Sequence, residues 1–132
     1  MRNPHRVRLR LGLALFLTLA ACESVIIILG PAGAQGITGI ILLGPQCPLE
    51  SLEDPCPDLP LQAWLEVRTA GGVLVGRVQS DEDGQFRVGL PFGAYILDPE
   101  SGNPFPVASE MEVDVAEGVF TDVTVNFDTG IR

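Results

Sequence analysis

The chain of 132 residues has no lysine, and its one histidine is His5. Without lysine, no internal Lys–Asn or Lys–Asp isopeptide bond can brace the fold, as it does in many sandwich-shaped Gram-positive pilin and adhesin modules. With histidine confined to position 5, the rest of the chain cannot build a Ser-His-Asp triad, a Cys-His pair or a His-containing zinc site. Positive charge is scarce as well. Beyond position 21 the only bases are Arg68, Arg77, Arg87 and Arg132, set against all 17 acidic residues, for a net −13. Duplex binding rests on neutralising phosphates, so a nucleic-acid partner is excluded. The acidity serves solubility first, and attraction of cations or a basic partner second. No apolar run reaches the roughly 20 residues that a membrane-spanning helix needs. No stretch after Cys22 shows a helical period.

The leader is what the sequence shows most clearly. Met1–Arg10 is basic, Leu11–Thr18 is apolar, and small residues precede Cys22. This is the order of a signal peptide's n-region, h-region and cleavage site, which predicts a signal helix that is removed on export. The run Leu19-Ala20-Ala21-Cys22 resembles the lipobox of bacterial lipoproteins. It implies cleavage after residue 21 and a lipid, such as palmitate, on Cys22, anchoring the protein to the cell membrane or the outer membrane. Residues 22–36 then form a tether broken by Gly30, Pro31, Gly33 and Gly36. Within it Val25–Leu29 is unusually apolar, and either an extra edge strand or a place among lipid headgroups suits it.

From residue 37 to 132 the chain reads as one all-β domain. Its length allows one core. Runs of β-branched and aromatic residues alternate with Gly, Pro and Asp turns at the spacing of a sandwich. Ile37–Leu43 is the first strand. Pro45–Pro60 is a proline-rich loop. Gln62–Thr69 alternates, with Ala63, Leu65 and Val67 inward and Trp64, Glu66 and Arg68 outward. Leu74, Gly76 and Val78 face in on the next strand, followed by Phe86, Val88 and Leu90, then Tyr95 and Leu97. Met111, Val113 and Val115, and lastly Val123, Val125 and Phe127, complete the predicted core. Period-2 alternation fixes these faces, because a slip of one residue would turn every apolar group to water.

Three stretches resemble the carboxypeptidase regulatory-like domains: Ile37-Thr38-Gly39-Ile40-Ile41, Asp81-Glu82-Asp83-Gly84-Gln85-Phe86 and Leu90-Pro91-Phe92-Gly93-Ala94-Tyr95. They fall in the family's order, within about residues 36–128. The resemblance implies a seven-stranded Greek-key β-sandwich of transthyretin-like (prealbumin-like) fold, used as an accessory module. Many relatives pass from the first strand to the second by a short turn. Here that connection is the long loop holding Cys47 and Cys56.

Those two cysteines are expected to pair in an oxidising compartment. Asp81-x-Asp83-Gly84 looks like the opening of a calcium loop, but position 12 is Phe92 rather than a bidentate Glu. A hairpin turn is the better reading, and no metal or cofactor is expected. With so many acidic residues, a glycosidase-like carboxylate pair would arise by chance. The chain therefore reads as a non-enzymatic, lipid-anchored envelope protein acting as a structural or interaction module. The alternative is a surface binder of carbohydrate or peptide, including a loop-type protease inhibitor. The candidate contact residues are Leu49 and Leu52 in the Cys47–Cys56 loop, together with Trp64 on the nominally outward face of its strand.

Overall fold

The computed structural model describes residues 33–132. The signal helix, Cys22 and the apolar stretch Val25–Leu29 lie outside the described residues. The rest is an all-β sandwich of eight strands: β1 (Gly36–Gly44), β2 (Leu59–Pro60), β3 (Trp64–Thr69), β4 (Leu74–Gln79), β5 (Gln85–Gly89), β6 (Gly93–Pro99), β7 (Met111–Val115) and β8 (Phe120–Asp128).

One sheet is built on β1. Along one edge β1 pairs antiparallel with β5 and, further on, with the short β2; along the other it pairs in parallel with β8 over its whole length. The second sheet has the order β4-β3-β6-β7 and is antiparallel throughout. The count of seven strands expected from the sequence misses β2. Two residues, Leu59 and Pro60, return from the long loop to pair with Leu43 and Leu42. A segment that short and proline-bound has no alternation to reveal it.

The core lies between the sheets and follows from the alternation. Ile37, Ile41, Leu65, Val67, Val88 and Leu97 are fully buried, and Phe86, Tyr95, Val113, Val125 and Phe127 are nearly so. Leu74 is a correction. It was expected inward, yet it is 48% exposed. The register between β3 and β4 shifts after Val67, so that Val67 faces Gly76 while Arg68 faces Leu74. This bulge leaves Val75 as the extra residue, turns Leu74 to the outer face and packs Val75 against the core.

Two turns fix how the sheets join. Ser80, 2% exposed, donates from its hydroxyl to Leu61 O (2.8 Å) and accepts from Ala63 N (2.9 Å), which stitches the β2–β3 connection to the end of β4. A buried hydroxyl satisfied on both sides costs little. Then the Asp81 carboxylate accepts from the backbone N–H groups of Asp83 and Gln85, both at 2.9 Å. Gly84 closes this turn at φ +73°, and a Cβ there would lie 2.4 Å from Ile41 O, so both its conformation and its space require glycine.

The strand directions give the molecule two ends. β1 and β8 run together from Gly36 and Phe120 at one end to Gly44 and Asp128 at the other, roughly 30 Å for nine-residue strands. The chain enters at the first end, where Gln35 O accepts from Leu90 N (3.2 Å) and Gln35 Oε1 from Gly118 N (3.0 Å). The disulfide loop leaves from the second.

Candidate functional site

Cys47 and Cys56 are joined as a disulfide, with Cα atoms 6.2 Å apart. The loop they close is rooted firmly. Gly44 packs so tightly on Asp58 that a Cβ would lie 1.7 Å from its Oδ1. Thr129 donates from its amide to Gly44 O (3.0 Å) and from its hydroxyl to Pro45 O (2.7 Å). Gln46 Nε2 donates to Leu43 O at 2.5 Å.

Inside the ring, Ser51 and Asp54 form a turn. Asp54 N donates to Ser51 Oγ (3.0 Å), and Ser51 N donates to Asp54 O (3.4 Å). Glu50 Oε1 accepts from Cys56 N across the ring at 3.4 Å. These bonds use the polar groups internally and leave the leucines outside. Leu49 is 89% exposed and Leu52 fully exposed. Glu50, Glu53, Asp54 and Asp58 are their neighbours along the loop. Two leucines held in water by a covalent ring and flanked by carboxylates are a costly arrangement for a solvated loop, since burying one is worth roughly 1.5–3 kcal/mol.

Trp64 is half-buried. The Arg77 guanidinium lies over its ring, 4.5 Å from the centroid, and is itself paired with the Glu100 carboxylate. Trp64 forms a wall of a cleft of about 290 Å³ with Leu61, Ala63, Gly102, Pro106 and Phe127. No residue of the 45–58 loop lines this cleft. The structure therefore does not bring Trp64 together with Leu49 and Leu52; they belong to separate surfaces at the same end.

Phe105 is the residue that sequence reasoning missed. It is 47% exposed, and its ring lies against Gly130, where a Cβ would come within 2.6 Å. With Leu43, Pro106 and Thr129 it lines a hollow of about 210 Å³ at the root of the disulfide loop. The segment carrying it is tied to β8 by the paired amides of Val107 and Asp128 (3.1 and 2.7 Å). Its signal was the spacing Pro104-Phe105-Pro106, an aromatic between two prolines with no strand to hide it. The tail beside it is clamped. Arg132 donates to both carboxylate oxygens of Asp128 (3.1 and 2.7 Å), and with Gly130 N it holds that carboxyl down at about 2.

A further hollow, about 770 Å³, is an open trough on the outer face of the β1 sheet, bounded by Asp81, Gln85, Arg87, Asp122 and Thr124. It holds no nucleophile–base pair. Among the described residues no group of three or more His, Cys, Asp or Glu side chains is placed to hold a metal ion, and no helix is long and apolar enough to cross a membrane.

No family model matches the chain, and no curated protein matches it. Among solved structures, the fold is similar to the crystal structure of GBS52, the minor pilin of the Gram-positive pathogen Streptococcus agalactiae. The TM-score is 0.56 at 13% identity over 74% of this chain. The match spans 45% of that pilin's length. A likeness at this identity speaks for the sandwich fold.

Proposed function

We propose that the chain is a non-enzymatic, lipid-anchored envelope protein, tethered through Cys22, that presents the Cys47–Cys56 loop to a protein partner. One observation carries the reading: Leu49 and Leu52 stand free in solvent on a loop whose own hydrogen bonds and disulfide fix it there. Ordering a loop before binding removes part of the entropy cost of association. Apolar anchors inside a charged rim are the anatomy of a contact surface. The acidic rim selects a partner with an apolar pocket and basic surroundings. Phe105 extends the apolar area at the loop's root. The carbohydrate alternative is weaker, because the Trp64 face that would stack on a sugar carries Arg77. The lipobox-like run supports an exported location, and the fold's likeness to a minor pilin is in keeping with it. The three motif stretches support a place beside the carboxypeptidase regulatory-like domains.

The test is chemical crosslinking in the intact envelope of the organism that makes the protein. The full chain should give a discrete crosslinked species that disappears in Leu49→Ser/Leu52→Ser, while the thermal unfolding midpoint of the variant stays unchanged. A species of equal yield with the serines would refute the loop as the contact surface. Mass spectrometry of the same protein should show Cys22 as a lipid-bearing N-terminus, and an intact Met1–Ala21 on exported protein would refute the anchor.

A further inference from the structure

Four turns meet at the end of the sandwich where the tether enters: Gly33–Gly36, Ala70–Leu74, Pro91–Ala94 and Ala116–Val119. Backbone hydrogen bonds hold them together. Gly36 N donates to Val119 O (3.3 Å), Leu90 N to Gln35 O (3.2 Å) and Ala70 N to Ala94 O (3.1 Å). Tyr95, 7% exposed, donates its hydroxyl to Pro91 O (2.7 Å) and so fixes the turn that carries Phe92. Phe92 is 70% exposed, Val73 66%, Val119 50% and Leu74 48%.

The same four turns hold a single charged residue, Glu117, with Arg68 across the strand pair from Leu74, in a chain whose residues beyond position 21 sum to −13. Ordinary loops solvate themselves with charge, and a small acidic protein has carboxylates to spare. An end that is apolar, nearly uncharged and rigid is not built to face water.

We propose that this end rests on the lipid bilayer, with Phe92, Val119, Val73 and Leu74 inserted among neutral headgroups. The inference rests on the anchoring of Cys22. Gly33 stands eleven positions after Cys22, so the lipid lies within about 40 Å of this end even when the tether is fully extended. The tether contains the apolar run Val25-Ile26-Ile27-Ile28-Leu29, which would gain free energy by leaving water. A bilayer is thus the apolar surface always within reach of this end. Aromatic and aliphatic loop residues suit the headgroup layer. The net −13 beyond position 21 sets the domain against an anionic leaflet, and the missing charge at this end matches a zwitterionic one. The two-ended strand layout then points the disulfide loop away from the membrane.

The test uses the full, lipid-bearing protein in vesicles of phosphatidylcholine carrying brominated chains, which quench nearby tryptophan. Trp64, at the far end, is the internal reference. In Phe92→Trp and Val119→Trp, the emission added by the new indole should shift to the blue and lose most of its intensity, while Trp64 emission in the unaltered protein keeps its intensity. Protein that floats with the vesicles but shows unquenched added emission in both variants overturns this proposal and leaves the anchor intact. Quenching of Trp64 to the same degree as the added indoles means the domain lies on its side, and also overturns it. Protein that does not float overturns both the anchor and the docking.

Discussion

The two ends of the sandwich expose equal numbers of large apolar side chains and very different amounts of charge. Val73, Leu74, Phe92 and Val119 lie at the end where the chain enters; Leu49, Leu52, Leu59 and Phe105 lie at the other. Every exposed large apolar side chain among the described residues belongs to one set or the other. Around the first set stand Glu117 and, across the strand pair from Leu74, Arg68. Beside the second in sequence stand Glu50, Glu53, Asp54 and Asp58. Apolar exposure by itself does not say what covers a surface. The charge beside it does, because it sets which neighbours are attracted and which are repelled. A neutral end fits a neutral bilayer, and an acid-rimmed end fits a basic protein.

The ends also differ in what holds them. The first is secured by strands, backbone bonds and the buried Tyr95. The second depends on a covalent ring and on a C-terminal tail. This difference orders the expected effects of substitution.

The largest effect should come from the core that keeps the ends apart. Phe86→Ala should cost roughly 3–5 kcal/mol in chemical denaturation and loosen both ends together, since Phe86 is 5% exposed between the sheets. An unchanged midpoint would mean that the ends are held independently.

Opening the ring should act on one end only. Cys47→Ser/Cys56→Ser should cost roughly 2–3 kcal/mol in the chain-entropy account of so small a loop. Hydrogen exchange should speed up over residues 45–58 and remain slow at Ala70, Leu90 and Gly118. Faster exchange at both ends would break the comparison. Tyr95→Phe is the counterpart at the first end. It removes the bond to Pro91 O, should cost roughly 0.5–1.5 kcal/mol, and should loosen Phe92 without touching the ring. Burial raises the Tyr95 hydroxyl above its ordinary value, so this bond persists well into alkaline solution.

The smallest effect concerns the tail. Arg132 and the Gly130 amide hold Asp128 at about 2, below its ordinary 3.8. A depressed carboxyl stabilises the folded state at pH above the unfolded value, and that contribution is lost as pH falls from 3.8 towards about 2. The carboxyl resonance of Asp128 should titrate in that low range, and Arg132→Gln should move it upward. A midpoint near 3.8 in the unaltered protein would contradict the clamp.

Much of the fold was legible because alternation is a strong signal. Tyr95, Val113 and Val125 sit where period 2 puts them, and the turns at Asp81–Gly84 and Glu117–Gly118 carry their own chemistry. Leu74 was misplaced because the bulge at Val75 adds one residue without changing the local pattern. β2 was missed because Leu59–Pro60 pairs only through the loop's return. Trp64 was correctly placed on the outer face, but its cover is Arg77, whose approach depends on the register of two strands. The neutral end was invisible for another reason. Its turns are scattered over more than eighty residues, and only the topology brings their missing charges to one place. The two leucines of the loop were visible as residues, yet their exposure depends on the Ser51–Asp54 turn directing polar groups inward.

The most direct test places a photo-activated crosslinking residue at Leu52 in one protein and at Phe92 in another, each expressed at native level in intact cells. The account predicts a protein adduct of defined mass from position 52 and a lipid adduct from position 92. A protein adduct from position 92 with none from position 52, or the same adduct from both, would contradict the division of roles between the two ends.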